Sequence, residues 1–159
     1  MLLVIEQKSL FLENAKLLNN EFEIIPLMYG SLGLEYITNQ NLNSDDIDIL
    51  IPNIFLNEQW DKFKDFLIGN RYVLIDEHEH TFQKDGSFYS YASIEELEDF
   101  AKICLTDIEC KRDFGARFRV LSLEQYLKVY TASSKDGYRI NVRKKKDTDK
   151  ISFIKKLLK

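Results

Sequence analysis

A mixed α/β domain, a twisted sheet flanked by helices with a helical tail behind it, is the fold class the sequence predicts. Three observations carry that prediction. Short apolar runs bounded by Gly, Pro and Asn alternate with segments of helical period. The chain has 159 residues, 45% hydrophobic and 30% charged, which fits one globular unit able to bury a core without disulfides or a structural metal. Over residues 121–130 and 151–158 the apolar spacing is helical. The expected division is a core over residues 1–120 and a helical tail over 121–159, packed on the core as a single compact unit.

Residues 6–22 predict a helix, because Leu10, Phe11, Ala15, Leu17 and Leu18 cluster on one face. "EIIPLMYG" reads as a strand, followed by a short helix over 32–38 that the Gly-Ser turn opens. A polar loop, "NQNLNS", leads to a second strand over 47–51, which Pro52 closes. Leu56, Trp60, Phe63 and Leu67 lie at helical spacing, with Gly69 and Asn70 as the stop. "RYVLIDEHEHTFQ" and "SFYSYAS" read as two strands turned at Lys84-Asp85-Gly86. Ser93, with Glu96 three residues on, predicts a capping box for a helix through "IEELEDFAKI". A strand at "RFRVL" and helices over about 122–135 and 147–158 complete the chain.

Charge is unevenly placed. The net value is -4, yet residues 1–110 hold 7 Lys and Arg against 21 Asp and Glu, while residues 111–159 hold 15 against 5. An acidic front suits a metal site, and a basic tail suits phosphate or nucleic acid; a solvated helical surface is the plainer reading of each single Lys. Cys104 and Cys110 lack the second pair that a zinc or redox framework needs, and no apolar run approaches membrane-spanning length, so a cytoplasmic protein is expected.

Asp46 and Asp48 break this apolar logic. Alternate residues of a strand share a face, so the two carboxylates project together while Ile47 and Ile49 point into the core. Side by side they repel unless a cation lies between them or one takes a proton. Hard oxygen ligands of this kind favour Mg²⁺ or Mn²⁺, which keep waters and accept remaining ligands from substrate phosphates. Gly30 permits an unusual turn, and the amides from Ser31 onward, at a helix start, can receive a phosphate.

Tyr29-Gly30-Ser31 followed by Asp46-Ile47-Asp48-Ile49 resembles the signature of the nucleotidyltransferase superfamily that includes DNA polymerase beta and the small lincosamide and aminoglycoside nucleotidyltransferases. The 14 residues between Ser31 and Asp46 make a stretched version of its loop. "LSLEQYLKVYTASSKDGYRI" and "KKKDTDKISFIKKL" look like the helical tail of the antibiotic-type members. The resemblance implies a sheet of the nucleotidyltransferase type and metal held by Asp46 and Asp48. It further implies a nucleoside triphosphate as substrate and transfer of a nucleoside monophosphate, AMP foremost, to a hydroxyl of a small molecule or a protein.

Lys128, Lys135 and Arg139 are the expected phosphate contacts beside Gly30 and Ser31; spacings of seven and four put them on one helix face if that helix continues through Gly137. A third acid completes the superfamily site, and "SFYSYAS", where it belongs, contains none. Read as a strand, "IDEHEH" puts Glu77 and Glu79 on one face and Asp76, His78 and His80 on the other; Glu79 is the first choice and Glu77 the second. His78 and His80 also allow a two-imidazole metal site, against the plainer reading of an exposed strand end. Two functions stay open: a transferring enzyme, and a degenerate, antitoxin-like binding or regulatory module that has lost its third acid.

Overall fold

The computed structural model describes the backbone of residues 2–135 and 137–159 and the side chains of residues 7–134 and 148–159. Its helices are α1 (Leu2–Phe22), α2 (Gly30–Thr38), α3 (Trp60–Gly69), α4 (Glu96–Ala101), α5 (Leu123–Lys135) and α6 (Gly137–Leu158). Its strands are β1 (Leu27–Tyr29), β2 (Ile47–Ile51), β3 (Val73–Asp76), β4 (Thr81–Lys84), β5 (Ser87–Ser93), β6 (Glu109–Asp113) and β7 (Ala116–Val120). These strands form one mixed sheet in the order β3-β4-β5-β2-β1-β7-β6. β2 runs antiparallel to β1 and parallel to β5, and β1 runs parallel to β7.

Strand alternation explains the two layers of core. Ile47, Ile49 and Ile51 face one side, where they meet Phe11, Ala15 and Leu18 of α1 and Phe63 and Leu67 of α3. Leu27 and Leu50 face the other, with Leu97 of α4, Tyr126 and Val129 of α5 and Ile154 of α6. On the first side the Asn14 amide donates to the hydroxyls of Tyr72 (3.0 Å) and Tyr91 (2.7 Å), which fixes α1 to the sheet inside the core. Burial pushes the Tyr72 hydroxyl up to about 12, so it stays neutral and can accept that bond.

The mixed α/β class, the helices on the sheet and the helical C-terminal part are all present, but four local expectations change. "RYVLIDEHEHTFQ" is two strands, since residues 77–80 form a turn between β3 and β4; His80, at φ 53, takes the left-handed conformation that ends the run. The Asp85-Gly86 turn joining β4 to β5 stands. Ser93 cannot cap α4 because it is the last ladder residue of β5, in register with Ile51; its hydroxyl donates to Glu95 instead. The capping box forms one helix later, where Ser122 Oγ accepts from the Gln125 amide and Gln125 Oε1 from the Ser122 amide. β6 is a strand that charged "ECKRD" did not announce. Finally, α5 ends at Lys135 and α6 starts at Gly137 and packs against it, so a single helix carrying Lys128 through Arg139 is not formed.

Candidate functional site

The site grows from the end of β1. Tyr29 pairs with Asp48 across the antiparallel ladder, and the chain then turns at Gly30 straight into α2. Gly30 has φ +64, and a Cβ on it would come within 2.6 Å of Asp48 Oδ2. Both the conformation and the close approach of the carboxylate therefore require glycine. Gly33, one turn on, leaves room for Tyr126, whose hydroxyl donates to Gly30 O at 3.0 Å and reaches Met28 O at 3.5 Å. Burial drives the Tyr126 pKa well up, so the clasp is a neutral O–H donor. Among the described residues no side-chain hydrogen bond caps the N-terminus of α2.

Residues 39–46 bring Asp46 back beside this turn. Buried Glu35 of α2 accepts the amides of Leu42 (3.0 Å) and Ser44 (2.9 Å) on Oε1, and Gln7 of α1 donates to Asp45 O at 2.6 Å. The long spacing between Ser31 and Asp46 is thus a pinned loop. Among the described residues its two anchors each keep one buried oxygen without a hydrogen-bond partner, Glu35 Oε2 and Gln7 Oε1. Asp46 lies just before β2 and is exposed; partial desolvation first, and the Asp45 charge second, hold its carboxyl above the usual range.

Two recesses meet here. A cleft of about 960 Å³ is bordered by Gly30, Ser31, Asp48, Glu79, Ser90 and Lys150. A smaller one of about 370 Å³ is bordered by Ser31, Asp45, Asp46, Asp48 and Lys150. Ser31, Asp48 and Lys150 therefore stand between the two, with Asp46 on one side and Glu79 on the other. Lys150 of α6 donates to Ser31 Oγ at 2.9 Å, and its ammonium sits 5.3 Å over the Tyr130 ring. Tyr130 in turn stacks on Tyr126, and Tyr126 on Tyr29, so an aromatic ladder ties α5 to the Gly30 turn.

Of the sequence candidates, Gly30, Ser31, Asp46 and Asp48 come together and Glu79 joins them across the cleft. Lys128 is exposed and borders neither recess. The side chains of Lys135 and Arg139 lie outside the described residues. Glu77 is engaged elsewhere, accepting from Trp60 Nε1 (3.2 Å) and Lys64 (3.1 Å), bonds that together draw its pKa down, Trp60 most. His78 and His80 both border the cleft, but from a turn, where strand alternation does not align their rings, and His80 packs edge-on against Trp60 at 4.7 Å. Among the described residues no cluster of three or more His, Cys, Asp or Glu side chains is arranged to hold a metal. Ser90 is the β5 residue in register with Asp48, and it shares a 3.0 Å hydroxyl contact with Thr81.

Sequence reasoning missed Lys150, Glu35 and Tyr126. Glu35 carries a signal, a lone charge inside the apolar helix "GSLGLEYIT". Lys150 carries a weaker one: it precedes buried Ile154 by four residues, which places both toward the sheet on a helix.

Among known proteins the chain is similar to the uncharacterized protein YnaI of Bacillus subtilis (strain 168). The two are 42% identical over 149 residues, spanning 94% of this chain and 96% of that protein. No protein-family profile and no solved structure matches the chain.

Proposed function

Since the chain belongs to one family with the uncharacterized protein YnaI, its reading rests on its own site, and we propose a metal-dependent nucleotidyltransferase. It moves a nucleoside monophosphate, AMP foremost, from a nucleoside triphosphate to a hydroxyl of a small molecule or protein. The observation that carries this reading is the convergence of Ser31, Asp48 and Lys150 between a cleft large enough for a nucleotide and a recess that adds Asp46.

Asp46 and Asp48, which border one recess together with Asp45 and Asp149, fit a hard divalent cation that retains waters and takes further ligands from phosphate, and Asp48 is packed on Gly30. Asp46 and Asp48 would hold Mg²⁺ or Mn²⁺, whose charge would offset what develops on the reacting phosphate. The uncapped amides that open α2 receive phosphate oxygens, and Lys150, already donating to Ser31, turns its ammonium to them. Lys150 takes the role expected of Lys128. Glu79, across the cleft, accepts the proton of the acceptor hydroxyl as that oxygen attacks the alpha phosphorus and pyrophosphate leaves.

A second reading, nucleotide binding without transfer, is favoured by one observation: Ser90 stands in the β5 position beside Asp48 where a third carboxylate would come. Titrating the protein with ATP, CTP, GTP and UTP, with and without Mg²⁺, tests both. Mg²⁺-dependent binding and pyrophosphate release support the enzyme; binding with no release when candidate acceptors are supplied supports the module. Absence of Mg²⁺-dependent binding of any of the four overturns both.

A further inference from the structure

The hairpin at the far edge of the sheet sorts its charges by face. β6 pairs with β7 so that Arg112 lies opposite Arg117 and Cys110 opposite Arg119. Ala116, Phe118 and Val120 are buried toward α1, and alternation puts Glu109, Lys111 and Asp113 on that same face. Charges there are matched, Glu109 with Lys111 at 2.8 Å and Asp113 with Lys8 at 3.1 Å. The opposite face carries Arg112, Arg117 and Arg119, and among the described residues no ion pair engages them. Like charges directly across a ladder destabilise it.

The tip repeats the anomaly. Phe114 and Gly115 turn with φ 48 and 80, nearly the values of Asp85 and Gly86 in the β4–β5 hairpin, 53 and 79. Asp is an ordinary residue for that conformation, whereas a bulky aromatic there is an outlier. Phe114 is also 79% exposed, so neither packing nor turn chemistry accounts for it. Two guanidinium groups facing each other across the ladder, a third two residues along β7 and a projecting ring at the tip match a repeating anion with flat, unpaired bases. An acidic peptide matches the charges and leaves the ring unexplained.

We propose that this face of the β6–β7 hairpin binds single-stranded nucleic acid, with Arg112, Arg117 and Arg119 contacting successive phosphates and Phe114 stacking on a base. None of the four borders either recess, so the surface stands independently of the nucleotidyltransferase reading.

Fluorescence anisotropy of the full chain with labelled single-stranded RNA and DNA of about 12 nucleotides tests it, against a duplex of the same length and a polyglutamate peptide. Three phosphate contacts predict about a twentyfold loss of affinity when salt rises from about 50 to about 200 mM. The double variant Arg112→Gln, Arg117→Gln should weaken binding and flatten that salt dependence to the single contact left, with a melting temperature no lower than the parent's. Phe114→Ala should weaken binding at least about fivefold and leave the salt dependence intact. The control Lys155→Gln, Lys156→Gln, at exposed positions near the end of α6, should bind as the parent does. The proposal fails if the parent does not bind at low salt, if duplex or polyglutamate binds as well as single strands, or if the α6 control loses as much as the arginine pair.

Discussion

Residues 47, 49 and 51 of β2 and residues 48 and 50 face opposite sides of one sheet, and the two sides are built differently. The first is sealed by α1 and α3, with Phe63 touching Phe22, Phe55, Trp60 and Tyr91 and an Asn14–tyrosine network inside. The second is covered by α4, α5 and α6 only as far as Leu50, and beyond it Asp48 looks into the cleft. Five residues thus line both a sealed core and an open cleft, because a strand can give alternate side chains to different environments. Changes on the first side should cost folding, and changes on the second should cost binding.

The largest stability loss is expected from Phe63→Ala, which empties a fully buried ring site on the sealed side and should cost about 3–5 kcal/mol in urea unfolding. A loss below about 1 kcal/mol would mean that α3 is not integral to that core. Gly30→Ala forces a side chain into a left-handed conformation against Asp48, at about 1–3 kcal/mol, and should abolish Mg²⁺-dependent nucleotide binding as well. Tyr126→Phe removes the hydroxyl clasp on the Gly30 carbonyl. It should cost about 0.5–1.5 kcal/mol and weaken nucleotide binding, sharpening the link between α5 and the turn.

Asp48→Asn should leave stability within about 1 kcal/mol of the parent, since an amide of the same shape opens no cavity, while thermal shifts by Mg²⁺ and ATP disappear. Asp46→Asn should behave likewise. A large drop in melting temperature without ligand, and no shift of the parent by ligand, would break the comparison by making the acids structural.

The smallest effect is a pH slope. Burial, aided by the His78 charge and opposed by Glu79, a hydrogen bond to the Tyr91 backbone and Glu77, holds the His80 imidazole below its ordinary 6.5. The unfolded chain therefore binds a proton at a pH where the folded chain does not. Stability from this group is complete above 6.5 and falls as pH drops from 6.5 toward the lower folded value. Melting temperature against pH should be flatter in this window for His80→Gln; an identical slope would assign it to other groups.

What was legible in the sequence was what repeats or what is costly. Ile47, Ile49 and Ile51 announce β2 by alternation, and Asp48 announces itself by interrupting it. Gly30 was legible because only glycine tolerates that turn. The break at residues 77–80 was not, since Asp, Glu and His tolerate both a strand end and a turn, and tertiary pairing with β5 decided. Nor was Lys150 singled out: a lysine among many becomes particular only when α6 lies against Tyr130, a contact between distant segments that no local pattern encodes. The charged strand β6 was hidden for a related reason, because its inner face carries Glu109, Lys111 and Asp113 where a half-buried strand should show apolar residues.

The Tyr126 clasp also gives the site an order of birth. The hydroxyl lies 96 positions after the carbonyl it holds, and the neighbouring seam between β1 and β7 is likewise closed by a late segment, Arg119 N reaching Pro26 O at 2.8 Å. At a ribosomal pace of about 5–20 residues per second, Gly30, Asp46 and Asp48 are made roughly 4–20 s before Tyr126 of α5 arrives to brace them. During that interval the emerging chain has the strands of its acid pair but lacks the helix that fixes the turn, so on the proposed nucleotidyltransferase reading nascent protein should bind nucleotide only once its tail has left the exit tunnel.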